Sequence, residues 1–169
     1  GRRAIKVTGD SMVQRLAVVG SKFVSANSGA EASAVPQIYC DSTGSPTNPA
    51  QWTFSSTQFL ESEGAHIQIE GTLSVDIEID GACRFFSPNR GGLASGDDQR
   101  ASIHVNNSNA SISLSGSSLA GIGGTNKILA YLEDAADVSI TGNDIGTYNT
   151  LIKADTSSVD NFVFEGNRI

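Results

Sequence analysis

The chain has 169 residues, which is enough for one domain with its own hydrophobic core. Its charged content is only 17% and it contains 18 glycines, a composition that favours short strands joined by turns over long helices. The net charge of −7 argues against a nucleic-acid surface, which needs clustered Lys and Arg, and no apolar run approaches the roughly 18 residues of a membrane span. We therefore expect a single all-β domain over residues 1–169. The N-terminus begins without Met, so the chain is interpreted as a piece of a longer protein.

Six short segments alternate apolar and polar residues, the period of a strand with one buried face. In chain order they are AIKV from Ala4, PQIYC from Pro36, HIQI from His66, SIHV from Ser102, KILAYL from Lys127 and TLIKA from Thr150. The nearest candidate for a helix, AYLEDAAD from Ala130, is long enough for only two turns. Each short segment is therefore predicted to be a strand that opens one repeat.

A second strand follows in each repeat and carries the pattern apolar-x-apolar-x-Gly. It is written LAVVGSKF, WTFSSTQF, IEIDGACRF, ISLSGSSL, VSITGNDI and NFVFEGNRI, with Ser in place of Gly in the second case and one extra residue in the third. The turn residues are Gly20, Ser56, Gly81, Gly116, Gly142 and Gly166, spaced by 36, 25, 35, 26 and 24 residues. A period near 25 with two ten-residue insertions accounts for this spacing.

This repeat predicts a right-handed, single-stranded parallel β-helix of about six rungs, with strands stacked about 4.8 Å apart. Insertions are expected at about residues 24–34, 41–50 and 85–101. The interior should hold three columns of apolar side chains. They are Leu16, Trp52, Ile77, Ile112, Val138 and Phe162; Val18, Phe54, Ile79, Leu114, Ile140 and Phe164; and Phe23, Phe59, Phe85 or Arg84, Leu119, Ile145 and Ile169.

Asn143 and Asn167 each follow a turn glycine, 24 residues apart. Asparagine tolerates the left-handed backbone region and bonds to neighbouring backbone groups, so the two would stack as a short asparagine ladder. The alternative is that both are ordinary turn asparagines. Cys40 and Cys83 lack metal-ligand spacing and are predicted to be free, buried thiols, with a disulfide as the alternative.

These repeats resemble those of the pectate-lyase-like parallel β-helices, a fold of polysaccharide lyases and hydrolases and of bacteriophage tailspikes. The resemblance runs from about Ala4 to Ile169. The Ser/Asn/Gly-rich repeats, irregular insertions and few cysteines are most similar to tailspikes. This resemblance implies that the chain forms a homotrimer in a phage tail and that the trimer binds bacterial surface polysaccharide. The calcium-binding aspartates and catalytic arginine of the secreted lyases have no match here.

The strand VDIEIDG from Val75 places Asp76, Glu78 and Asp80 on one outer face, with neighbours about 7 Å apart. Two carboxylates 6.5–9.5 Å apart are the geometry of an inverting glycosidase, so Glu78 and Asp80 are candidates for acid and base. Glu70, on the preceding strand, is a further candidate member of this acidic group. The alternatives are a solvated polar face and a cation site.

The longest insertion, RFFSPNRGGLASGDDQR from Arg84, is a candidate for sugar binding. An aromatic ring with planar amides and guanidinium groups suits the apolar faces and hydroxyl rims of sugars. The candidate residues are Phe86, Asn89, Arg90, Asp97, Asp98 and Arg100. The alternatives are that this insertion contacts a neighbouring subunit or that it has no function.

His66 and His104 are expected at outward positions without a third ligand, and the sequence predicts no metal site and no cofactor. Three functions follow as hypotheses. The first is a structural and receptor-binding segment of a phage tailspike or tail fibre. The second is a glycan-degrading enzyme, a glycoside hydrolase or polysaccharide lyase, and the third is an adhesin passenger segment that acts outside the cell.

Overall fold

A computed structural model describes residues 4–10, 13–24, 35–45, 47–62, 64–86, 88, 101–121, 127–155 and 159–169. Within these ranges the chain forms sixteen β-strands and no helix. All the strand ladders are parallel. The described residues contain no helix that could cross a membrane. The all-β composition expected from the sequence is confirmed.

The strands fall into three sets that recur along the chain. The first set is β1 (Ile5–Gly9), β4 (Ile38–Ser42), β7 (Ile67–Gly71), β10 (Ala101–Asn107) and β15 (Thr150–Ala154). The second set is β2 (Arg15–Val19), β5 (Ala50–Ser55), β8 (Val75–Asp80), β11 (Ala110–Ser115) and β16 (Val159–Glu165). The third set is β3 (Lys22–Val24), β6 (Gln58–Leu60), β9 (Arg84–Phe86), β12 (Ser118–Ala120) and β14 (Asp144–Gly146). One long strand, β13 (Ile128–Thr141), takes part in both of the first two sets.

The first two sets form one curled sheet of eleven strands, and the third set forms a separate sheet of five. The order along the larger sheet is β1-β4-β7-β10-β13-β11-β8-β5-β2, and β15 and β16 both pair with β13 on its other side. The smaller sheet has the order β14-β12-β9-β6-β3.

The predicted fold class is corrected by the continuity of this larger sheet. The sequence predicted a right-handed single-stranded parallel β-helix. In that fold the two principal strands of each rung belong to separate sheets. Instead, β13 runs for 14 residues and pairs with β10 through its first half and with β11 through its second. The stretch AYLEDAAD, considered for a short helix, lies within this strand and contains no Gly, Pro or Asn to end it. The result is two parallel sheets, one of them curled.

The strand registers confirm the predicted partners within the apolar columns except at Ile169, which lies outside the named strands and is 77% exposed. Trp52 lies beside Leu16 and Ile77, and Phe54 lies beside Val18 and Ile79. In the smaller sheet Phe59 pairs with Phe85, which settles the choice between Phe85 and Arg84. The Phe59 ring stacks on Phe85 with centroids 4.7 Å apart.

The extra residue of the third repeat is absorbed at its corner. All six predicted turn residues have positive φ, from 49° at Ser56 to 64° at Gly142 and Gly166. At the third corner Gly81 (φ 60°) is followed by Ala82 (φ 67°), which adds a residue without shifting the next strand. This conformation suits glycine because it lacks a Cβ atom, which explains the glycines of the pattern.

The core is closed in the middle of the stack and open at its C-terminal end. Trp52, Phe54, Ile79 and Leu114 are buried. Phe162 is 43% exposed, whereas the sequence predicted it to be buried, and Phe164 is only partly buried. The reason is that β16 pairs with β13 alone among the described strands, so no further strand covers these rings.

Small polar side chains line the inside of the corners. Thr57, Ser117 and Asn143 each bond to the carbonyl oxygen two residues earlier, and Cys83 takes the same position, with Sγ 3.3 Å from the Phe54 carbonyl oxygen. The predicted asparagine ladder is confirmed, because Asn143 Nδ2 donates to Asn167 Oδ1 at 3.0 Å. The prediction of free, buried cysteines is confirmed for both Cys40 and Cys83.

Candidate functional site

The acidic strand β8 carries its charges on the outer face of the curled sheet. Asp76 and Glu78 are exposed, Asp80 is half-buried, and the intervening apolar residues are buried. The period of two between residues places the three carboxylates on one face, as the sequence predicted. Among the described residues, no side-chain hydrogen bond or ion pair involves Asp76 or Glu78.

A groove of about 340 Å³ crosses this face from β8 to β16. We call it the serine groove, and its lining residues are Asp76, Ile77, Glu78, Ser111, Ile112, Ser113, Asp137, Val138, Ser139, Asn161 and Val163. Three strand-to-strand steps of about 4.8 Å give it a width of about 14 Å.

Side-chain length explains the shape of the serine groove. Along one row the residues in register are Glu78, Ser113, Ser139 and Val163. The two serines are short, and the longer Glu78 and Val163 stand at the ends of the row. A neighbouring row begins with Asp76 beside Ser111 and ends with Asp137 beside Asn161. The surface therefore dips across β11 and β13 and rises at both sides.

Most of the exposed surface of the serine groove is apolar, and the polar side chains at its border are acidic or neutral. Its lining has three carboxylates and, among the described residues, no Lys or Arg. Asn161 Nδ2 donates to Asp137 Oδ1 at 2.6 Å, which fixes the orientation of that carboxylate. The serine hydroxyls donate as well as accept. The polar side chains of the groove therefore offer a ligand more hydrogen-bond acceptors than donors.

The structure does not bring Phe86 to this groove. Phe86 lies on β9 in the smaller sheet, where it is half-buried and the Arg84 guanidinium is 5.4 Å from its ring centroid. The other residues predicted in the long insertion, Asn89, Arg90, Asp97, Asp98 and Arg100, lie outside the described residues. Asp80 and Glu70 are not among the lining residues.

Two tyrosine–carboxylate clusters on the other part of the curled sheet were missed by sequence reasoning. The Tyr131 hydroxyl lies 2.9 Å from Glu133 Oε1 and 2.6 Å from Asp155 Oδ2. Burial, followed by these hydrogen bonds, raises the pKa of Tyr131. Glu133 also lies 3.1 Å from His104 Nε2, and the His104 and Tyr131 rings stack with centroids 5.2 Å apart.

The second cluster repeats this arrangement nearer the N-terminus. The Tyr39 hydroxyl donates to Glu70 Oε2 at 2.8 Å and lies 3.4 Å from Asp41 Oδ2. In both clusters a tyrosine faces the carboxylate two residues later and a carboxylate on the next strand. The signal in the sequence is the pattern Tyr-x-acid, at Tyr39 and again at Tyr131. Tyr131 is buried, so this cluster joins neighbouring strands inside the fold.

The prediction that both histidines are surface residues is wrong. His66 is fully buried beside Phe59 and Phe85, and its Nε2 lies 3.2 Å from the carbonyl oxygen of Phe86. Burial lowers the pKa of His66 to about 3. His104 is buried against Tyr131. Within the described ranges no group of His, Cys, Asp and Glu side chains has the arrangement of a metal site.

A buried lysine anchors the beginning of the long insertion. Lys127 is 1% exposed and its Nζ donates a hydrogen bond to the carbonyl oxygen of Pro88. Burial lowers the pKa of Lys127 to about 8, so the ammonium form still predominates at neutral pH. The role of this contact is to hold residue 88 against the start of β13.

No family model, no curated protein and no solved structure matches the chain. Function is therefore inferred from the serine groove, the open cavity that the described residues line with chemically versatile side chains.

Proposed function

We propose that this chain is a binding segment that holds a polysaccharide in the serine groove without cleaving it. The observation that carries the proposal is the groove itself, about 340 Å³ in volume and bordered by hydroxyl, amide and carboxylate groups. Its volume lies within the range typical of ligand sites, at the lower end. Its open, elongated form across four strands suits a chain molecule better than a compact one.

The chemistry of the lining matches the surface of a sugar chain. Sugar hydroxyls donate and accept hydrogen bonds, and the groove supplies carboxylate oxygens and serine hydroxyls at the spacing of a parallel sheet. The apolar edge of Val163, 42% exposed, offers a surface for the C–H face of a sugar ring. Both parts of a carbohydrate therefore find a complementary surface in the same groove.

Binding without cleavage is favoured by the environment of the acidic pair. Glu78 is exposed and Asp80 is only half-buried, so this pair lacks the apolar pocket in which a glycosidase holds its general acid. Their separation of about 7 Å, set by strand geometry, is the observation that favours the alternative of an inverting glycoside hydrolase. A depolymerisation assay with Glu78→Gln separates the two. Retained binding with lost cleavage would establish the enzyme.

The resemblance to phage tailspikes supplies the proposed source of the glycan, the bacterial surface, and the proposed location, the virion. An adhesin segment outside the cell would use the same groove. A tailspike segment is expected to be a homotrimer. Light scattering that shows a monomer at micromolar concentration would remove the trimer and weaken the tailspike assignment.

The direct test blocks the groove. Ser113 is exposed at its centre, and Ser113→Trp fills the dip between Glu78 and Val163 with a bulky ring. Titration calorimetry with purified bacterial surface polysaccharides should show binding to the unmodified chain and a loss of at least about tenfold in the variant.

The matched control is Ser118→Trp. Ser118 is also exposed but lies on β12 in the smaller sheet, so its substitution should leave glycan binding unchanged. Equal losses in the two variants, or binding that Ser113→Trp does not affect, would rule out the serine groove as the site.

A further inference from the structure

We infer that the serine groove selects glycans that are uncharged or carry amino groups, and that it rejects acidic glycans such as polyuronates. This inference rests on the proposed function and specifies the class of ligand. The side chains that decide it are Asp76, Glu78 and Asp137. Two independent features of the groove support it, its charge and its balance of hydrogen-bond donors and acceptors.

The charges enclose the groove from two sides. Asp76 and Glu78 lie on β8, and Asp137 lies on β13, two strand-to-strand steps away, or about 9.6 Å. A ligand lying over Ser111 and Ser113 on the intervening strand is therefore within one strand step of all three carboxylates. This distance is shorter than the Debye length of about 10 Å at 0.1 M salt, so screening is incomplete.

No basic side chain of the lining compensates these charges within the described residues. The nearest basic residue in the same row is Arg15, which is separated from Asp76 by Gln51 and lies about 9.6 Å away across two steps. In the register of the sheet, Arg15 lies on the opposite side of Asp76 from Ser111. An anionic group in the groove would thus meet three like charges.

The hydrogen-bond balance leads to the same selectivity. Ionised carboxylates only accept hydrogen bonds, whereas ammonium groups only donate and sugar hydroxyls do both. One donor of the lining, Asn161 Nδ2, is already engaged by Asp137 at 2.6 Å. A ligand rich in N–H and O–H donors finds acceptors at Asp76, Glu78 and Asp137, while most of the remaining groove surface is apolar. The carboxylate of a uronate finds only the serine hydroxyls and the remaining N–H of Asn161.

The test compares β-1,4-linked oligosaccharides of equal length that differ in one substituent: a cello-oligosaccharide, a glucosamine oligomer and a glucuronate oligomer. Binding is measured by calorimetry and by chemical-shift changes of the amides of β8 and β11. The neutral or the amino form should bind at least about tenfold more tightly than the glucuronate form at low salt. Raising the salt from about 0.02 M to about 0.5 M should narrow that difference.

Variants that replace carboxylates by amides test whether the carboxylates of the groove cause the selectivity. The triple variant Asp76→Asn, Glu78→Gln, Asp137→Asn should raise the affinity for the glucuronate oligomer by about tenfold, so that the ratio of the neutral-oligomer affinity to the glucuronate affinity falls. The control, Asp80→Asn, Asp160→Asn, Glu165→Gln, removes the same net charge from β8 and β16 outside the groove lining. It should leave the selectivity unchanged.

The outcomes distinguish a failure of the charge selectivity from a failure of the proposed function. Tight glucuronate binding that Ser113→Trp abolishes would overturn the charge selectivity and retain the groove as a glycan site. If none of the three oligomers binds and no bacterial polysaccharide binds either, the proposed function itself falls. If the triple variant and its control lose their preference for the neutral oligomer over the glucuronate oligomer to the same extent, the overall charge of the chain, and not the groove, causes the selectivity.

Discussion

The side-chain amide of Asn143 joins its own repeat to both neighbouring repeats, and Asn167 is its partner on the C-terminal side. Asn143 Nδ2 donates to Asn167 Oδ1 at 3.0 Å and to the carbonyl oxygen of Leu114 at 3.0 Å, and Asn143 Oδ1 accepts from the backbone N–H of Ser117 at 3.0 Å. Asn143 is only 2% exposed. One buried side chain therefore satisfies polar groups of three successive repeats.

Asn143→Ala should destabilise the chain by about 3 kcal/mol or more, because it leaves the Leu114 carbonyl and the Ser117 N–H without a partner, at about 1–3 kcal/mol for each buried group. Urea unfolding followed by circular dichroism measures the loss. Asn48→Ala serves as the control, since Asn48 is exposed, and should change the free energy of unfolding by less than about 0.5 kcal/mol. Similar values for both variants would contradict the role of the ladder.

Two phenylalanines in the apolar columns should differ in their contribution to stability. Phe54 is fully buried and Phe162 is 43% exposed. Phe54→Ala should cost about 3–5 kcal/mol, the range for a buried aromatic side chain. Phe162→Ala should cost clearly less, because no strand covers its ring. Chemical denaturation of the two variants side by side checks this, and a larger loss for Phe162→Ala would show that its ring is covered in solution.

Acid should destabilise the chain through His66. Its pKa is about 3 in the folded chain, against about 6.5 when unfolded, so the unfolded state binds the extra proton between these values. The stability that neutral His66 contributes is complete above pH 6.5 and is lost as the pH falls toward 3. At about 1.4 kcal/mol for each pH unit, this loss reaches about 2–3 kcal/mol at pH 4.5.

The variant His66→Phe isolates this contribution, because other groups also titrate in acid. It keeps an aromatic ring beside Phe85 but has no proton to bind, so its free energy of unfolding should fall less between pH 7 and pH 4.5 than that of the unmodified chain. Denaturant titrations at several pH values give the two slopes. Parallel slopes would mean that His66 is accessible to protons in the folded state.

The two thiols should react only when the chain unfolds. Cys40 and Cys83 are both fully buried, and burial raises the pKa of Cys40 to about 11 and raises that of Cys83 as well. The thiolate is the reactive form, so both burial and pKa suppress the reaction. Ellman's reagent at pH 8 should titrate two thiols rapidly in denaturant and very slowly without it. Fast reaction of one thiol in the folded chain would indicate local opening at that cysteine.

The pairing of residues was predictable because the repeat is written in the sequence. The alternation around Trp52 and Phe54 identified the buried face, and the spacing of the turn glycines identified which residues of successive repeats lie side by side. Both follow from strand geometry, in which side chains alternate with a period of two. The joining of the ladders at β13 was not predicted, since the segments from Lys127 and from Val138 were expected to be two separate strands and a single strand runs through both.

The candidate site was predictable only in part. Asp76 and Glu78 were identified from their alternation with buried residues of β8. Ser113, Ser139 and Asn161 were not, because an isolated serine or asparagine in a strand carries no signal by itself. Their importance arises when three strands that are far apart in the chain lie next to one another and short side chains form a dip between long ones.

The sequence by itself determined which residues face the core, where the chain turns and which positions repeat, because these depend on local backbone geometry and on the burial of apolar side chains. Only the tertiary structure decided the curled sheet, the serine groove, the burial of His66 and the exposure of Phe162. Each of these depends on which strand lies next to a residue, or on the absence of one beside it among the described strands.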